Sequence, residues 1–463
     1  MTVSEPHKHT LKADSLSFFE SLVMGVAGSA PGYTIAVTTA VLIATAGVLS
    51  PGALLIFAVP MLGIAIAYRA LNRKEVHAGA AYQWTTRAFG KFFGYFSGWA
   101  LLIAAMVFMV SGSLPVATAT LNFVAPQLIG NVFVTAAVAS GWFLVVAMVL
   151  IVGIEITSRV QVVMTTIELI ILLVIIVAAF AHSGSAGMVN RFDWSWFGFG
   201  YTPGSFAASA LIVVYFYWGW DVTANLGEET REGHIHAGNG GFASIFVTIL
   251  FYLGFTLSAL FLFSVHDAKH LTDNIIYNIA VAAGLGRTGG LFASFAVMLS
   301  SIATLETTML QFSRTLFAMG RDGAMWAGFG TVDARTQTPV RAMVVLMVVG
   351  LALLWASNLM PTVSSIISAS VSAVGVQVAY YYGLAGFVAA WEFRGLYRRS
   401  IRQWLWLCVY PALSGLMLIL LGLYAITTFN LITKIVGIGG LLIGIIFFRP
   451  RRYDVSKGKV PAR

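Results

Sequence analysis

The 463-residue sequence is poor in charged residues, which make up only 10% of it. Soluble domains carry about 25% charged residues, so this chain has too few to cover the surface of a soluble protein. It also has a single cysteine, Cys408, which excludes an intrachain disulfide. Hydrophobic residues make up 59% of the chain, and its mean hydropathy is +0.86. These proportions indicate an integral membrane protein.

The net charge of +9 could indicate a nucleic-acid partner. In a chain this apolar, however, basic residues are more typical of loops on the cytoplasmic side of a membrane. The first seventeen residues are polar, and the long apolar run after them has no small-residue cleavage site. We therefore expect a lipid bilayer and no nucleic acid as partner, and no removable signal peptide.

Twelve segments of the sequence approach or exceed the length of about 20 apolar residues that a membrane-spanning helix needs. They lie at about residues 17–47, 51–71, 93–124, 132–155, 160–182, 204–227, 238–265, 288–319, 340–358, 362–390, 404–427 and 429–448. The sequence therefore predicts an all-α membrane protein with twelve transmembrane helices.

The distribution of Lys and Arg predicts the orientation of these segments. With the N-terminus inside, the tails and the even-numbered connections carry about 23 of the 27 basic residues. The other side has only Arg191, Lys269, Arg287 and Lys434. This bias predicts a multi-pass protein of the cell (inner) membrane with both termini in the cytoplasm.

The first and sixth segments are both interrupted at mid-span. The first contains MGVAGSAPG, in which Pro31 removes a backbone donor and kinks the helix. The sixth contains YFYWGWDVTANLGEET, where Gly219 lies between two tryptophans and Asp221 follows. A carboxylate in hydrocarbon is costly unless it faces a partner or a wet cavity, and broken helices with a charge at the break are typical of transporter binding sites. The alternative is a packing glycine beside a satisfied aspartate at a helix end.

The spacing of the two breaks predicts how the segments are organised. The interrupted sixth segment starts five segments after the interrupted first one, so it enters the membrane from the opposite side. This relation is expected of an inverted repeat, in which the second half of the core is a copy of the first with reversed orientation. The predicted core at 17–390 has one half at about 17–182 and the other at about 204–390. Two further helices follow at 404–448, and the cytoplasmic tails are 1–16 and the basic 449–463.

Four motifs resemble those of the amino acid–polyamine–organocation (APC) superfamily of permeases. They are AGSAP in the first segment, AGAAYQW…GKFFGYFSGW before and within the third, WGWD…GEET in the sixth, and SRTLFAMGRDG…TPVRA after the eighth. They span residues 25–342 in the family's order. The resemblance implies a five-plus-five inverted-repeat fold with alternating access. It also implies amino acids or related amines as substrates, moved with protons or by exchange.

The resemblance also implies where the substrate would bind. The first break would supply backbone amides to a substrate carboxylate, which agrees with the positive dipole end of a half-helix. The sixth segment would offer backbone carbonyls to a substrate ammonium and aromatic walls to its side chain. We expect only one of the two tryptophans beside the glycine to face the substrate, since successive helical residues point about 100° apart. The candidate residues are Ala27, Gly28, Ser29, Ala30, Tyr217, Trp218, Gly219, Trp220 and Asp221.

Two further carboxylates are candidates for proton coupling. Glu168 lies in the fifth segment, where many proton-coupled relatives have lysine, and Glu306 lies in the eighth. At 1.5 Å per residue, each lies about 12–13 Å from a basic residue expected at the cytoplasmic face, Arg159 and Arg314 respectively. We therefore expect the two carboxylates at nearly equal depth. The alternative is that each is bonded to neighbouring hydroxyls and only stabilises the fold.

The sequence thus predicts a secondary active transporter of an amino acid by proton-coupled symport, acting as a monomer or homodimer. An importer or exchanger of a polyamine or other organic amine is the alternative, favoured by three membrane carboxylates. The sequence has no repeated filter loop, which would have indicated a channel. It also has no cluster of metal ligands, which would have indicated an enzyme. We expect no cofactor and no metal.

Three residues of the tenth segment, Gln377, Tyr380 and Tyr381, are expected to pack rather than line the pathway.

Overall fold

The computed structural model describes residues 10–271 and 275–448, so the predicted basic tail and most of the N-terminal tail lie outside the described residues. Within that part, the chain is built from helices that cross the membrane and short helices that connect them. The crossing helices are α1a Phe18–Ser29, α1b Pro31–Ala46, α2 Ser50–Lys74, α3 Lys91–Val124, α4 Val132–Val152, α5 Ile154–Ala186, α6a Pro203–Phe216, α6b Val222–Asn225, α7 Gly233–Leu262, α8 Gly286–Arg321, α9 Val340–Ala356, α10 Val363–Phe393, α11 Ile401–Thr428 and α12 Leu431–Phe447.

The number of crossings agrees with the sequence. Nine helical stretches of the described residues are long and apolar enough to span a bilayer, and the first of them, Phe18–Lys74, contains α1 and α2 end to end. The shorter apolar helices α6a and α12 complete the set. The prediction of an all-α protein with twelve membrane helices is therefore confirmed. The fifth helix begins earlier than expected, because the chain turns sharply at Gly153, whose φ is 132°.

The predicted interruption of α1 is a change of backbone conformation at one residue. Ala30 has a φ of 46° and a ψ of 69°, in the left-handed region, so the helix cannot continue through it. Pro31 then occupies the first turn of α1b, where a missing N–H leaves no helical bond unmade. At the other end, Ser17 and Glu20 form a capping box that fixes the start of α1a.

The interruption of α6 is longer and falls at the residues that the sequence indicates. α6a ends at Phe216, α6b begins at Val222, and Gly219 between them has a φ of 105°, which favours glycine. α6b is a single turn that leads into the turn Gly227–Glu229. Both broken helices are therefore confirmed, whereas the division of the core into two repeats stays a prediction.

The two membrane faces of the bundle differ in charge. The basic side is the face at which α1 begins and α12 ends, and it carries the connections after α2, α6, α8 and α10. Arg73, Arg231, Arg321 and Arg398 lie in or beside these connections. The opposite side carries Arg191, Lys269, Arg287 and Lys434. The interruptions of α1 and α6 lie between the two sides.

Candidate functional site

The two helix breaks lie directly against each other. A Cβ atom placed on Gly28 would lie 2.2 Å from the carbonyl oxygen of Gly219, and one placed on Gly219 would lie 2.2 Å from the carbonyl oxygen of Gly28. Only hydrogen fits at either position. The backbone of α1a therefore touches the interrupted part of α6, and the breaks form one candidate site.

This contact changes the expected result of enlarging Gly28. From the sequence alone, Gly28→Val is expected to abolish substrate binding while the yield of folded protein stays similar. Because the added Cβ would meet backbone rather than a flexible side chain, Gly28→Ala is expected to lower both the thermal stability and the folded yield. Gly141→Ala in α4 is the matched control, since nothing lies within 4 Å of its Cβ position. A normal melting temperature for Gly28→Ala would contradict the close contact.

The polar groups of the α1 break are hydrogen-bonded within α1a and by neighbouring helices. The Ala30 N–H donates to the carbonyls of Val26 and Ala27 at 3.0 and 3.1 Å. The Gly28 carbonyl accepts from the Thr304 hydroxyl at 3.2 Å, and the Ser29 carbonyl accepts from the Tyr252 hydroxyl at 2.8 Å. The break therefore presents carbonyls to α7 and α8. That residues 27–30 bind a substrate carboxylate stays a prediction.

Glu168 of α5 caps the start of α1b. Its Oε1 accepts a hydrogen bond from the Gly32 N–H at 2.9 Å, and the side chain is fully buried. Oε2 has no hydrogen-bond partner among the described residues. The Cβ position of Gly32 lies 3.2 Å from Ser300 Cβ and 3.3 Å from Glu168 Oε1, so this carboxylate sits where α1b, α5 and α8 meet. A helix N-terminus favours a negative charge at such a point.

Glu306 is also buried, but it lies at a different depth. In the orientation that satisfies its neighbours, the Gln161 amide donates to the two carboxylate oxygens of Glu306 at 3.1 and 3.3 Å. Gln161 precedes Glu168 by seven residues, about 10 Å along α5. The expectation of equal depth is therefore wrong. Arg314 was a false marker of the membrane face, because it is fully buried and α8 continues to Arg321.

Asp221 is held by three uncharged donors at the α6 break. Its Oδ1 accepts from the Tyr382 hydroxyl at 2.8 Å, and its Oδ2 accepts from the Gln311 amide at 2.8 Å and the Tyr381 hydroxyl at 3.2 Å. The side chain is fully buried. Sequence reasoning missed Gln311 and Tyr382 and expected Tyr381 to pack, although the run of three tyrosines in α10 was a signal. Gln377 does pack, since it donates to the Gly437 carbonyl of α12.

The two tryptophans beside Gly219 have different surroundings. Trp218 donates from Nε1 to the Tyr381 hydroxyl at 2.7 Å, and its ring meets Phe108 edge-on at 5.2 Å. Trp220 lies between Tyr68 and Tyr382, at 5.2 and 5.6 Å between ring centroids. The Trp220 N–H has no partner in the described part of the chain. Trp218 is therefore connected through Tyr381 to Asp221, whereas Trp220 packs among rings. Tyr217 donates to the Leu54 carbonyl of α2.

This difference predicts unequal effects of the same substitution. Trp218→Phe removes the donor to Tyr381 and is expected to raise the substrate Kd several-fold. Trp220→Phe removes an unpaired N–H and some ring volume, so it should lower the melting temperature and leave the Kd within about twofold, a change worth about 0.4 kcal/mol. Binding titrations and thermal melts on both variants make the comparison. Equal losses of affinity would contradict the assignment.

Contacts between the broken helices and their neighbours close the structure on both sides of the breaks. Toward the opposite side, the hydroxyls of Tyr33 in α1b and Tyr215 in α6a are 3.0 Å apart. Toward the basic side, Arg314 of α8 forms two hydrogen bonds with Glu229, at 2.9 and 2.8 Å, and both side chains are fully buried. The N-terminal segment joins there, since the Leu16 N–H donates to the Glu229 carbonyl.

A second ion-pair cluster lies nearer the basic surface. Arg321 donates to both carboxylate oxygens of Glu228, at 2.9 and 2.8 Å, and the Ala78 N–H donates to the same carboxylate. Burial opposes ionisation of Glu228, but Arg321 outweighs it and holds the pKa of Glu228 below its usual value. Burial and the charge of Arg321 lower the pKa of His77 to about 3, so this imidazole is neutral at physiological pH.

Asp322 gives this cluster a pH dependence that can be tested. Burial raises the pKa of Asp322 from 3.8 to about 6, although Arg321 opposes the shift. The charged form therefore destabilises the folded protein by up to about 3 kcal/mol above pH 6. Asp322→Asn should raise the melting temperature at pH 8, and the gain should shrink between pH 6 and pH 4. A gain that is the same at pH 4 and pH 8 would contradict this assignment.

Comparison with known proteins agrees with this geometry. The sequence profile of a family described as amino acid permease matches residues 16–448. The chain is 25% identical over 365 residues to "Cationic amino acid transporter 4, vacuolar" of Arabidopsis thaliana, covering 74% of this chain and 58% of the relative. It is 26% identical to "Branched-chain amino acid permease BcaP" of Lactococcus lactis over 295 residues, 59% of this chain and 61% of that protein. The chain thus spans about three fifths of the length of these two relatives.

A match that covers more of the relative's length and a solved structure extend the comparison. The Bacillus subtilis branched-chain amino acid permease BcaP is 26% identical over 351 residues, 70% of each chain. A crystal structure of an Eremococcus coleocola manganese transporter superposes with a TM-score of 0.63 over 96% of this chain and 97% of that chain, at 12% identity. This likeness shows the fold of a membrane transporter and no more. Because the family profile covers nearly the whole described chain, the chain is a multi-pass membrane protein that belongs to the amino acid permease family of the APC superfamily.

Proposed function

We propose that this permease is a secondary active transporter that carries an amino acid across the cell (inner) membrane by alternating access, in symport with protons. The basic side is the cytoplasmic side, because Lys and Arg concentrate in cytoplasmic loops. Both termini are then cytoplasmic. The relatives are named for cationic and for branched-chain amino acids, so both side-chain types are candidates for the substrate.

The substrate binds between the two breaks in this proposal. Its carboxylate lies near residues 27–30, at the positive end of α1b, and its ammonium faces the carbonyls of residues 217–219. Trp218 supplies an aromatic wall for the side chain. Opening toward the opposite side separates Tyr33 from Tyr215, and opening toward the basic side releases the ion pairs of Glu228 and Glu229.

The observation that carries proton coupling is the bond from the Gly32 N–H to Glu168. Burial disfavours the charged carboxylate, while the N-terminus of α1b favours it. These opposing effects allow one proton to bind and leave during the transport cycle. Protonation removes the attraction between Glu168 and the helix end, so it loosens the hold of α5 on α1b. A proton is thereby linked to movement of the helix that touches the substrate.

An importer or exchanger of an amine is the second candidate. It is favoured by Asp221 and Glu306, two buried carboxylates that form no ion pair with a described cationic side chain. A substrate ammonium could supply the missing charge. Asp221, however, already accepts bonds from three uncharged donors, so it needs no cation to be satisfied. We therefore favour the amino acid.

A thermal-shift screen of the purified protein separates the two candidates. Amino acids and matched decarboxylated amines, such as leucine with isoamylamine and lysine with cadaverine, are compared pairwise. A true ligand at 100 times its Kd stabilises the protein by about 2.7 kcal/mol. We expect stabilisation by one or more amino acids and by none of the corresponding amines. Stabilisation by amines alone would reverse the proposal.

A further inference from the structure

A cavity separate from the helix breaks lies between α3, α8, α9 and α12. Its volume is about 1160 Å³, and none of the candidate substrate or proton-coupling residues lines it. Its walls are apolar along most of their length, with Met106 on α3, Phe312 on α8 and Ile443 on α12 as examples. Ile443 is half exposed on the outer surface of the bundle, so the cavity borders the lipid-facing surface.

The lining residues form stripes parallel to the helix axes. α8 contributes Phe312, Leu316 and Gly320, and α9 contributes Val345, Val349 and Leu353. Each stripe repeats every four residues and is therefore about 12 Å long. One leaflet makes up half of a hydrocarbon core about 30 Å thick. The cavity is thus a groove that extends through most of one leaflet, the dimension of an acyl chain rather than of a small polar solute.

The groove begins at the basic side. Arg321 and Asp322, at the end of α8, and Trp326 in the loop that follows line this end, and the Trp326 ring is 64% exposed. The Arg341 guanidinium lies over that ring, 6.0 Å from its centroid. Tryptophan and arginine are enriched where a protein meets the headgroups. This end of the groove therefore lies at headgroup level.

The charge at this end comes from Arg341. Arg321 is engaged by Glu228, and Asp322 lies 3.5 Å from His77 and 3.9 Å from Arg321. Arg341 forms no ion pair with a carboxylate in the described part of the chain and donates only to the Gly328 carbonyl, at 3.3 Å. Its guanidinium has donors to spare for a phosphate.

We propose that this groove binds one membrane phospholipid of the leaflet on the basic side. One acyl chain lies along the stripes of α8 and α9, and the phosphate lies beside Arg341. The lipid then contacts Gly320 and Arg321, and Arg321 is the residue that forms the ion pair with Glu228. The proposal is independent of the substrate and of the coupling ion.

Native mass spectrometry of the detergent-purified protein tests the site, with Val349→Trp filling the groove. Val348→Trp is the matched control, because Val348 is 64% exposed, does not line the groove and is the adjacent residue. We expect wild type and Val348→Trp to retain a phospholipid, and Val349→Trp to lose at least three quarters of it. If Val349→Trp does not fold, Leu353→Phe takes its place, since Leu353 also lines the groove.

The headgroup is tested by adding lipids back to delipidated protein. Arg341→Gln should weaken binding of a phospholipid several-fold and leave binding of diacylglycerol, which has the same chains and no phosphate, unchanged. Three results would overturn the proposal: no phospholipid on the wild type, equal retention by both tryptophan variants, or equal effects of Arg341→Gln on both lipids. A fourth would be a change from dimer to monomer in Val349→Trp without lipid loss, which would identify a second copy of this chain as the occupant.

Discussion

Glu168→Gln is expected to abolish accumulation of substrate driven by a pH gradient while substrate binding and exchange continue. Glutamine keeps the size of the side chain and can still accept from the Gly32 N–H, but it cannot release a proton. The variant therefore resembles the permanently protonated carboxylate at the start of α1b. Uptake and exchange are measured in proteoliposomes, with and without an imposed pH gradient.

The matched control is Glu155→Gln, the same change at an exposed position in the first turn of α5. It should transport like the wild type. If Glu168→Gln accumulates substrate normally with unchanged pH dependence, then Glu168 only stabilises the fold. If it instead loses all binding of amines, then Glu168 holds a cationic substrate. Either result would remove Glu168 from proton coupling.

Arg314→Met is expected to lower stability by about 3–5 kcal/mol, because it leaves the fully buried Glu229 carboxylate without its partner. This is the largest stability effect that we expect from a single polar contact in the protein. The double variant Arg314→Met with Glu229→Leu should recover most of the loss, since apolar residues often replace a buried ion pair at no cost. Melting temperatures in detergent measure both.

Lys12→Met provides the comparison at an exposed pair. Lys12 and Glu155 are 2.8 Å apart, but their side chains are 42% and 47% exposed, so losing the pair should leave the melting temperature nearly unchanged. An Arg314→Met protein that is as stable as the wild type would contradict the buried pairing. A double variant as unstable as Arg314→Met would show that the pair contributes more than neutralisation of charge.

The sequence predicts the breaks well because their causes are local. Pro31 disfavours a helical conformation of Ala30 before it, Gly219 permits a positive φ, and Asp221 marks the α6 break as polar. The number of crossings likewise follows from the lengths of apolar runs. These features depend on neighbours in the chain, so composition and spacing suffice to find them.

The partners of the buried carboxylates could not be predicted in the same way. Asp221 is bonded by Gln311 and by two tyrosines about 160 residues away in sequence. The depth of Glu306 was misjudged because Arg314 looked like a residue at the membrane face. The buried partner of Arg314 is Glu229, which lies in the turn after α6b, and only the packing of this part of the chain against α8 brings the two together.

Proton symport requires that substrate and proton move together, and their simultaneous flux tests this most directly. Proteoliposomes containing the wild-type protein and a pH-sensitive dye are given an amino acid that stabilises the protein in the thermal-shift screen. With no initial pH gradient and the membrane potential clamped, addition outside should acidify the lumen at a rate that rises with substrate uptake. Glu168→Gln vesicles should show no acidification. Uptake by the wild type against a gradient with no change in luminal pH would contradict proton symport.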